Sequence, residues 1–114
     1  MEINEVLKNG ITVFYVTKKF GFFSWRNPKR GLLKFTGLGV HLYDGKRLVE
    51  YWTNCKVLAR FKMNGDFSKN WIKILDEDKG VYYISEYKYF HGLGAIFGGS
   101  KKLFGLIQRY IFVR

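Results

Sequence analysis

The segment from Lys18 to Arg30 combines two residue types that bind anionic surfaces. It reads KKFGFFSWRNPKR, with basic residues at both ends and large aromatic residues between them. Lysine and arginine attract anionic lipid headgroups, at about 1 kcal/mol each near the surface, and aromatic rings favour the membrane–water interface. We expect Phe22, Phe23 and Trp25 to act as membrane anchors. The expected lipid- or anion-binding residues are Lys18, Lys19, Arg26, Lys29, Arg30 and Lys34.

The distribution of charge along the chain supports this expectation. The chain has 20 lysines and arginines against 9 acidic residues, a net charge of +11, and no acidic residue lies between Val6 and Tyr43. A region of one sign attracts anionic partners such as nucleic acid, phospholipid headgroups or an acidic protein. Two simpler interpretations stay open: the aromatic residues pack back on the fold, and the basic surface only keeps the protein in solution.

Single-stranded nucleic acid is the principal alternative ligand, because aromatic rings can stack on bases while lysines contact phosphates. Tyr82, Tyr87, Tyr89 and Lys88 are candidates for such contacts. The sequence has no helix-turn-helix or RNA-recognition signature, which favours phospholipid over nucleic acid. A third class is a protein-interaction scaffold that binds its partner through a sheet edge or through the surface of Gly92–Phe97.

Residues with catalytic or metal-binding chemistry lack the partners that such chemistry requires. His41 and His91 have no acidic residue in register beside them, and Cys55, although next to a lysine that could lower its thiol pKa, has no evident base or oxyanion site. The acidic run Asp76–Asp78 is followed by Lys79 and lacks the ligand spacing of a calcium loop. We therefore expect a protein that is not an enzyme and that uses no cofactor and no metal.

Alternating and aromatic-rich runs predict the elements that position these residues. The dipeptide Asp44-Gly45 between apolar runs is a strong signal for a β-hairpin turn. The helical spacing of apolar residues after Ser100, a good N-cap, predicts an amphipathic helix that reaches Ile111. Residues Glu2–Lys8 could form a short first helix. The seven predicted strands are Ile11–Lys18, Gly31–Thr36, Val40–Asp44, Arg47–Thr53, Lys56–Met63, Asn70–Asp76 and Gly80–Glu86.

This order of seven short strands and one amphipathic helix resembles the pleckstrin-homology-like superfamily, including its GRAM branch and bacterial relatives. The local resemblance lies in GLLKFTGLGV (Gly31–Val40), GVYYI (Gly80–Ile84) and GGSKKL (Gly98–Leu103). It implies a mainly β fold, a seven-stranded antiparallel sandwich or barrel capped by the C-terminal helix. In pleckstrin-homology domains the loop between the first two strands holds a phosphoinositide headgroup, which the resemblance implies for Lys18–Arg30.

Length and the remaining composition complete the expectations. A chain of 114 residues is long enough for one domain with a single core, over residues 1–114. The single cysteine cannot form an internal disulfide, and no signal-peptide pattern or spanning apolar run is present. We expect a cytoplasmic protein, peripheral at the inner face of the membrane if it binds lipid.

Overall fold

The structure, a computed structural model, describes residues 3–19, 22–23, 28–62, 70–86 and 100–114. Strands dominate these ranges, with one short helix near the beginning and one helix near the end. The helices are α1 (Ile3–Asn9) and α2 (Ser100–Gln108). The long strands are β1 (Ile11–Lys19), β3 (Lys29–Thr36), β4 (Gly39–Asp44), β5 (Arg47–Trp52), β7 (Val57–Lys62), β8 (Asn70–Asp76) and β9 (Gly80–Glu86). The two-residue strands are β2 (Phe22–Phe23), β6 (Asn54–Cys55) and β10 (Phe112–Val113).

The seven long strands form one curled antiparallel sheet, a half-barrel, in the order β5-β4-β3-β1-β9-β8-β7. Strand β1 lies at the centre because it pairs with β3 on one side and with β9 on the other. Strand β2 pairs with the end of β1, and β10 pairs with β6 in parallel. The predicted mainly β architecture with a helix near the C-terminus is confirmed.

Alternation along the strands directs one row of side chains into the sheet's concave face. On β1 this row is Ile11, Val13 and Tyr15, which belong to the main hydrophobic core. The intervening Phe14 and Val16 join Trp71 and Tyr83 in a second apolar cluster on the opposite face. Both faces of the central strands are therefore buried, and this explains the near-continuous apolar sequence of β1.

Helix α2 covers one end of the curled sheet, because its apolar residues fall on one stripe of the helix. Leu103, Leu106 and Ile107 are buried in the main core. Just after the helix, the Tyr110 ring lies 5.3 Å from the ring of Phe35, near the end of β3. We call these five residues the closed end.

The β3–β4 turn packs against the end of β5 without space for a side chain. Gly39 has φ of +116°, and a Cβ atom there would lie 2.1 Å from the carbonyl oxygen of Trp52. Only glycine tolerates this combination of positive φ and close backbone contact. The turn is thereby fixed against the core.

The C-terminal segment differs from its prediction. The helix ends at Gln108 and does not reach Ile111, and β10 was not expected. The Phe112 amide donates to the Thr53 carbonyl at 3.0 Å, and the Arg114 amide donates to the Cys55 carbonyl at 2.9 Å. These long-range hydrogen bonds hold the segment of β10 in an extended conformation, in place of another helical turn.

Candidate anion-binding site

The structure places part of the predicted anion-binding site on adjacent strands. Lys29 and Arg30 begin β3, and Lys34 lies farther along it; all three are exposed, and we call them the β3 cations. The predicted residues Lys18 and Lys19 end β1, where their backbone pairs with that of Phe23 and Phe22. Trp25 and Arg26 lie outside the described residues. Both ends of the Lys18–Arg30 segment therefore belong to neighbouring strands.

Alternation along β3 divides these cations between two directions. Arg30 and Lys34 lie on the sheet's outer face, and Arg30 pairs with Phe14 of the outer cluster. Lys29 has the inner-face parity of Leu33, but it lies at the strand's first position and is exposed. The β3 cations thus follow the rim and outer face of the sheet and do not converge on one point.

At the end of β3 opposite the closed end, polar side chains of β1 and of the β4–β5 hairpin meet. The Tyr15 hydroxyl donates to Oδ2 of Asp44 at 3.1 Å, and Nη2 of Arg47 lies 3.8 Å from the same oxygen. The Thr17 hydroxyl donates to the Val81 carbonyl at 3.1 Å. We call Tyr15, Thr17, Asp44, Arg47 and the neighbouring Tyr82 the mouth.

Burial and acidic neighbours keep the phenols of the mouth neutral. Burial, followed by the hydrogen bond and charge of Asp44, raises the pKa of Tyr15 to about 12. Burial, with the charge of Glu50, also raises the pKa of Tyr82. The Tyr82 ring packs edge-on against Trp52, with 5.2 Å between centroids. Tyr82 is therefore a buried wall residue, which contradicts the expectation that it stacks on nucleic-acid bases.

Four of the described acidic residues pair with cations outside the predicted site. Salt bridges join Asp44 to Arg47, Glu77 to Lys56, Glu50 to Lys79 and Asp76 to Arg114. Among the described residues, no carboxylate lies within the 4.0 Å salt-bridge distance of Lys29 or Lys34. The positive field of these two lysines is thus not cancelled by a described acidic neighbour.

An aromatic array on the outer face was not predicted from the sequence. Tyr43, His41 and Tyr51 lie side by side on β4 and β5, and we call them the ring ladder. The His41 ring centroid is 6.5 Å from that of Tyr43 and 5.8 Å from that of Tyr51, with interplanar angles of 27° and 19°. The alternating pattern His41-x-Tyr43 predicts that these two rings share one face of the sheet. The position of the third ring, Tyr51, depends on how β4 pairs with β5.

Cations lie at both ends of the ring ladder. Nζ of Lys34 lies 5.5 Å from the Tyr43 centroid, and Nζ of Lys79 lies 3.8 Å from the Tyr51 centroid. Both distances fall within the range of cation–π attraction. Lys79 also donates a hydrogen bond to the Tyr51 carbonyl and forms its salt bridge with Glu50.

Cys55 lacks the environment of a reactive thiol. It is buried, and burial raises its pKa, with a further contribution from the charge of Asp76. Its neighbour Lys56 pairs instead with Glu77 at 3.4 Å. A buried thiol with a raised pKa is a poor nucleophile at neutral pH, since the thiolate is the reactive form.

The part of the chain that the structure describes holds no candidate metal centre and no candidate membrane-spanning helix. No group of three or more potential metal ligands occurs among the described residues. Neither described helix is long and apolar enough to cross a membrane.

Comparisons with known proteins gave no match to a protein-family model, a curated protein or a solved structure.

Proposed function

We propose that this protein is a non-catalytic module that attaches peripherally to anionic membranes at the inner face. The observation that carries the proposal is that Lys29 and Lys34 are exposed and have no described acidic neighbour. Both lysines lie on β3, which contains the end of the Lys18–Arg30 segment and is next to β1, which contains its beginning. The pleckstrin-homology-like fold, in its GRAM-like form, is part of the proposal. Its support is the set of seven antiparallel strands whose one end is covered by the last helix.

Both charge and apolar contact contribute to the proposed attachment. Each basic residue near an anionic surface is worth about 1 kcal/mol, and this attraction falls off over a Debye length of about 8 Å at physiological salt. Arg30 and Lys34 share the outer face of β3, so these two can approach a flat surface together. Phe22, Phe23 and Trp25 would add the interfacial aromatic contact. Affinity should therefore fall as salt rises, and part of it should persist through the aromatic contact.

Co-sedimentation with phosphatidylcholine vesicles, with and without phosphatidylserine, tests this proposal at low and physiological salt. We expect retention on the anionic vesicles alone. The variant Lys29→Gln/Lys34→Gln should lose most of it at physiological salt. The control Lys101→Gln/Arg109→Gln removes the same charge from exposed positions on or just after α2, and it should keep most of it.

Three results would contradict the proposal in different ways. Equal losses in the two charge variants would mean that only net charge matters and that β3 is not the site. Full retention by the variant Phe22→Ser/Phe23→Ser/Trp25→Ser would remove the aromatic anchor from the proposal. Absence of retention of the unmodified protein at physiological salt would overturn membrane attachment as a whole.

A further inference from the structure

The ring ladder presents its rings on the outer face of the sheet. The pairings of His41 with Tyr51 and of Lys34 with His41 place the side chains across β3, β4 and β5 on that face. Tyr51 is 45% exposed on β5, an edge strand of the sheet. The nearly parallel rings therefore offer an aromatic surface to a ligand.

Two further features give this surface polar and charged contacts. The exposed Lys34 lies at one end of the ladder, and Lys79 lies at the other. Nδ1 of His41 is buried and makes no hydrogen bond with the described residues.

We propose that the ring ladder binds the bases of single-stranded nucleic acid, with Lys34 near the phosphates. Every base has a face that can stack on an aromatic ring, so this contact requires no particular sequence. A neutral ligand such as a proline-rich peptide could also pack on aromatic rings. The net charge of +11 favours a polyanion over such a ligand. Glu50 immediately precedes Tyr51 in the sequence, and Lys79 pairs with it.

A purely structural role for the rings makes a different prediction. Cross-strand aromatic pairs stabilise a sheet by about 0.2–1 kcal/mol, and His41 and Tyr51 form such a pair. If the ladder did only this, replacing a ring would lower the melting temperature and would leave nucleic-acid binding at the level set by charge. Stability and binding must therefore be measured on the same variants.

Fluorescence anisotropy with a labelled oligothymidylate of about twelve nucleotides tests the proposal. We expect binding by the unmodified protein at physiological salt, and a loss of about tenfold or more in affinity for Tyr51→Leu, which keeps an apolar side chain but removes the ring. The matched control Phe112→Leu removes a ring that is 72% exposed on β10, and it should bind normally. Lys34→Gln should lower the slope of log affinity against log salt by about 0.7.

Photocrosslinking of the unmodified protein to the same oligonucleotide gives a readout that no folding defect can affect. Crosslinks mapped by mass spectrometry should fall on the peptides that contain Tyr43 and Tyr51. Crosslinks confined to other peptides, or equal affinities of Tyr51→Leu and Phe112→Leu, would overturn the proposal.

The two proposals can fail separately. Tyr51→Leu leaves Lys29, Arg30 and the aromatic anchors unchanged, so its binding to anionic vesicles should be normal. Retention on vesicles without binding of the oligonucleotide would refute the nucleic-acid site and leave membrane attachment supported. The reverse result would refute membrane attachment alone.

Discussion

The closed end and the mouth are filled by different kinds of side chain, although both belong to the same half-barrel. At the closed end Leu103, Leu106 and Ile107 enter the main core. At the mouth, Tyr15 and Asp44 share a hydrogen bond, and Arg47 lies beside the same carboxylate. The apolar residues of the closed end stabilise the fold, whereas a charge at the mouth can be changed with little loss in the free energy of unfolding.

The energies of apolar burial and of exposed ion pairs explain why the closed end and the mouth should differ strongly in their contribution to stability. Burial of a large aliphatic side chain contributes about 1.5–3 kcal/mol, and truncation adds the cost of a cavity. Ion pairs between exposed side chains contribute about 0–1 kcal/mol. The side chains of Arg47 and Asp44 are 67% and 42% exposed, so their pair belongs to the weak class. The closed end should therefore dominate stability, and a functional surface can change most freely near the mouth.

The largest effect that we predict from this comparison is at the closed end. Ile107→Ala removes a side chain with no solvent exposure from α2, and we expect the free energy of unfolding to fall by about 2–5 kcal/mol. Urea denaturation followed by circular dichroism measures the change. The exposed neighbour Gln108→Ala should stay within about 0.5 kcal/mol of the unmodified protein. Similar values for both variants would show that α2 does not anchor the core.

The next effect tests the backbone contact between the β3–β4 turn and β5. Gly39→Ala combines positive φ with a clash against the Trp52 carbonyl, and we expect a loss of about 1–3 kcal/mol in unfolding free energy. Gly37→Ala, in the same turn, meets no atom within 4 Å and should change stability by about 0.5 kcal/mol or less. Equal unfolding midpoints for the two variants in urea would contradict the close contact.

The smallest effect is expected at the mouth. Tyr15→Phe removes the hydrogen bond to Asp44 and should lower the unfolding free energy at neutral pH by about 1 kcal/mol. The unfolded phenol loses its proton near pH 10.0, whereas the folded phenol has a pKa of about 12. Between these values the unfolded state binds fewer protons, so stability falls as pH rises. The variant should show a shallower fall over this window.

Urea titrations at neutral pH and at several values from pH 10 upward measure this difference. Tyr82 and Tyr83 also have raised pKa values, so the variant should keep part of the alkaline loss. If the unfolding free energy fell with pH equally steeply in the variant and in the unmodified protein, Tyr15 would not be the phenol whose pKa is raised at the mouth.

Local patterns in the sequence predicted the long elements well. Alternating and aromatic-rich runs marked all seven long strands, and the apolar stripe after Ser100 marked α2. The hairpin signalled by Asp44-Gly45 is also confirmed, but its turn residues are Gly45 and Lys46, because Asp44 pairs with Arg47; φ is +62° at Gly45. These features depend on neighbours within a few residues, and propensity, alternation and turn chemistry report such neighbours directly.

The candidate sites were predicted less completely, because they combine distant residues. Lys29, Arg30 and Lys34 were recognised from charge and are exposed, but their division between the rim and the outer face follows from the phase of β3. The bond from Tyr15 to Asp44 spans 29 residues, and the ring ladder requires both the β4–β5 register and its irregularity between Leu42 and Tyr43. A shift of one residue in that register would turn Tyr51 to the other face.

The sequence by itself determined the strands, the hairpin turn, the amphipathic α2 and the positive field, because each depends on residue type and short-range spacing. Tertiary structure alone decided that β1 pairs with both β3 and β9, that β10 replaces a last helical turn, and that two tyrosines meet His41 on one face. These outcomes depend on which distant backbone groups hydrogen-bond to one another and in which register. The sheet as a whole fixes that choice, through the burial of its concave face against α2.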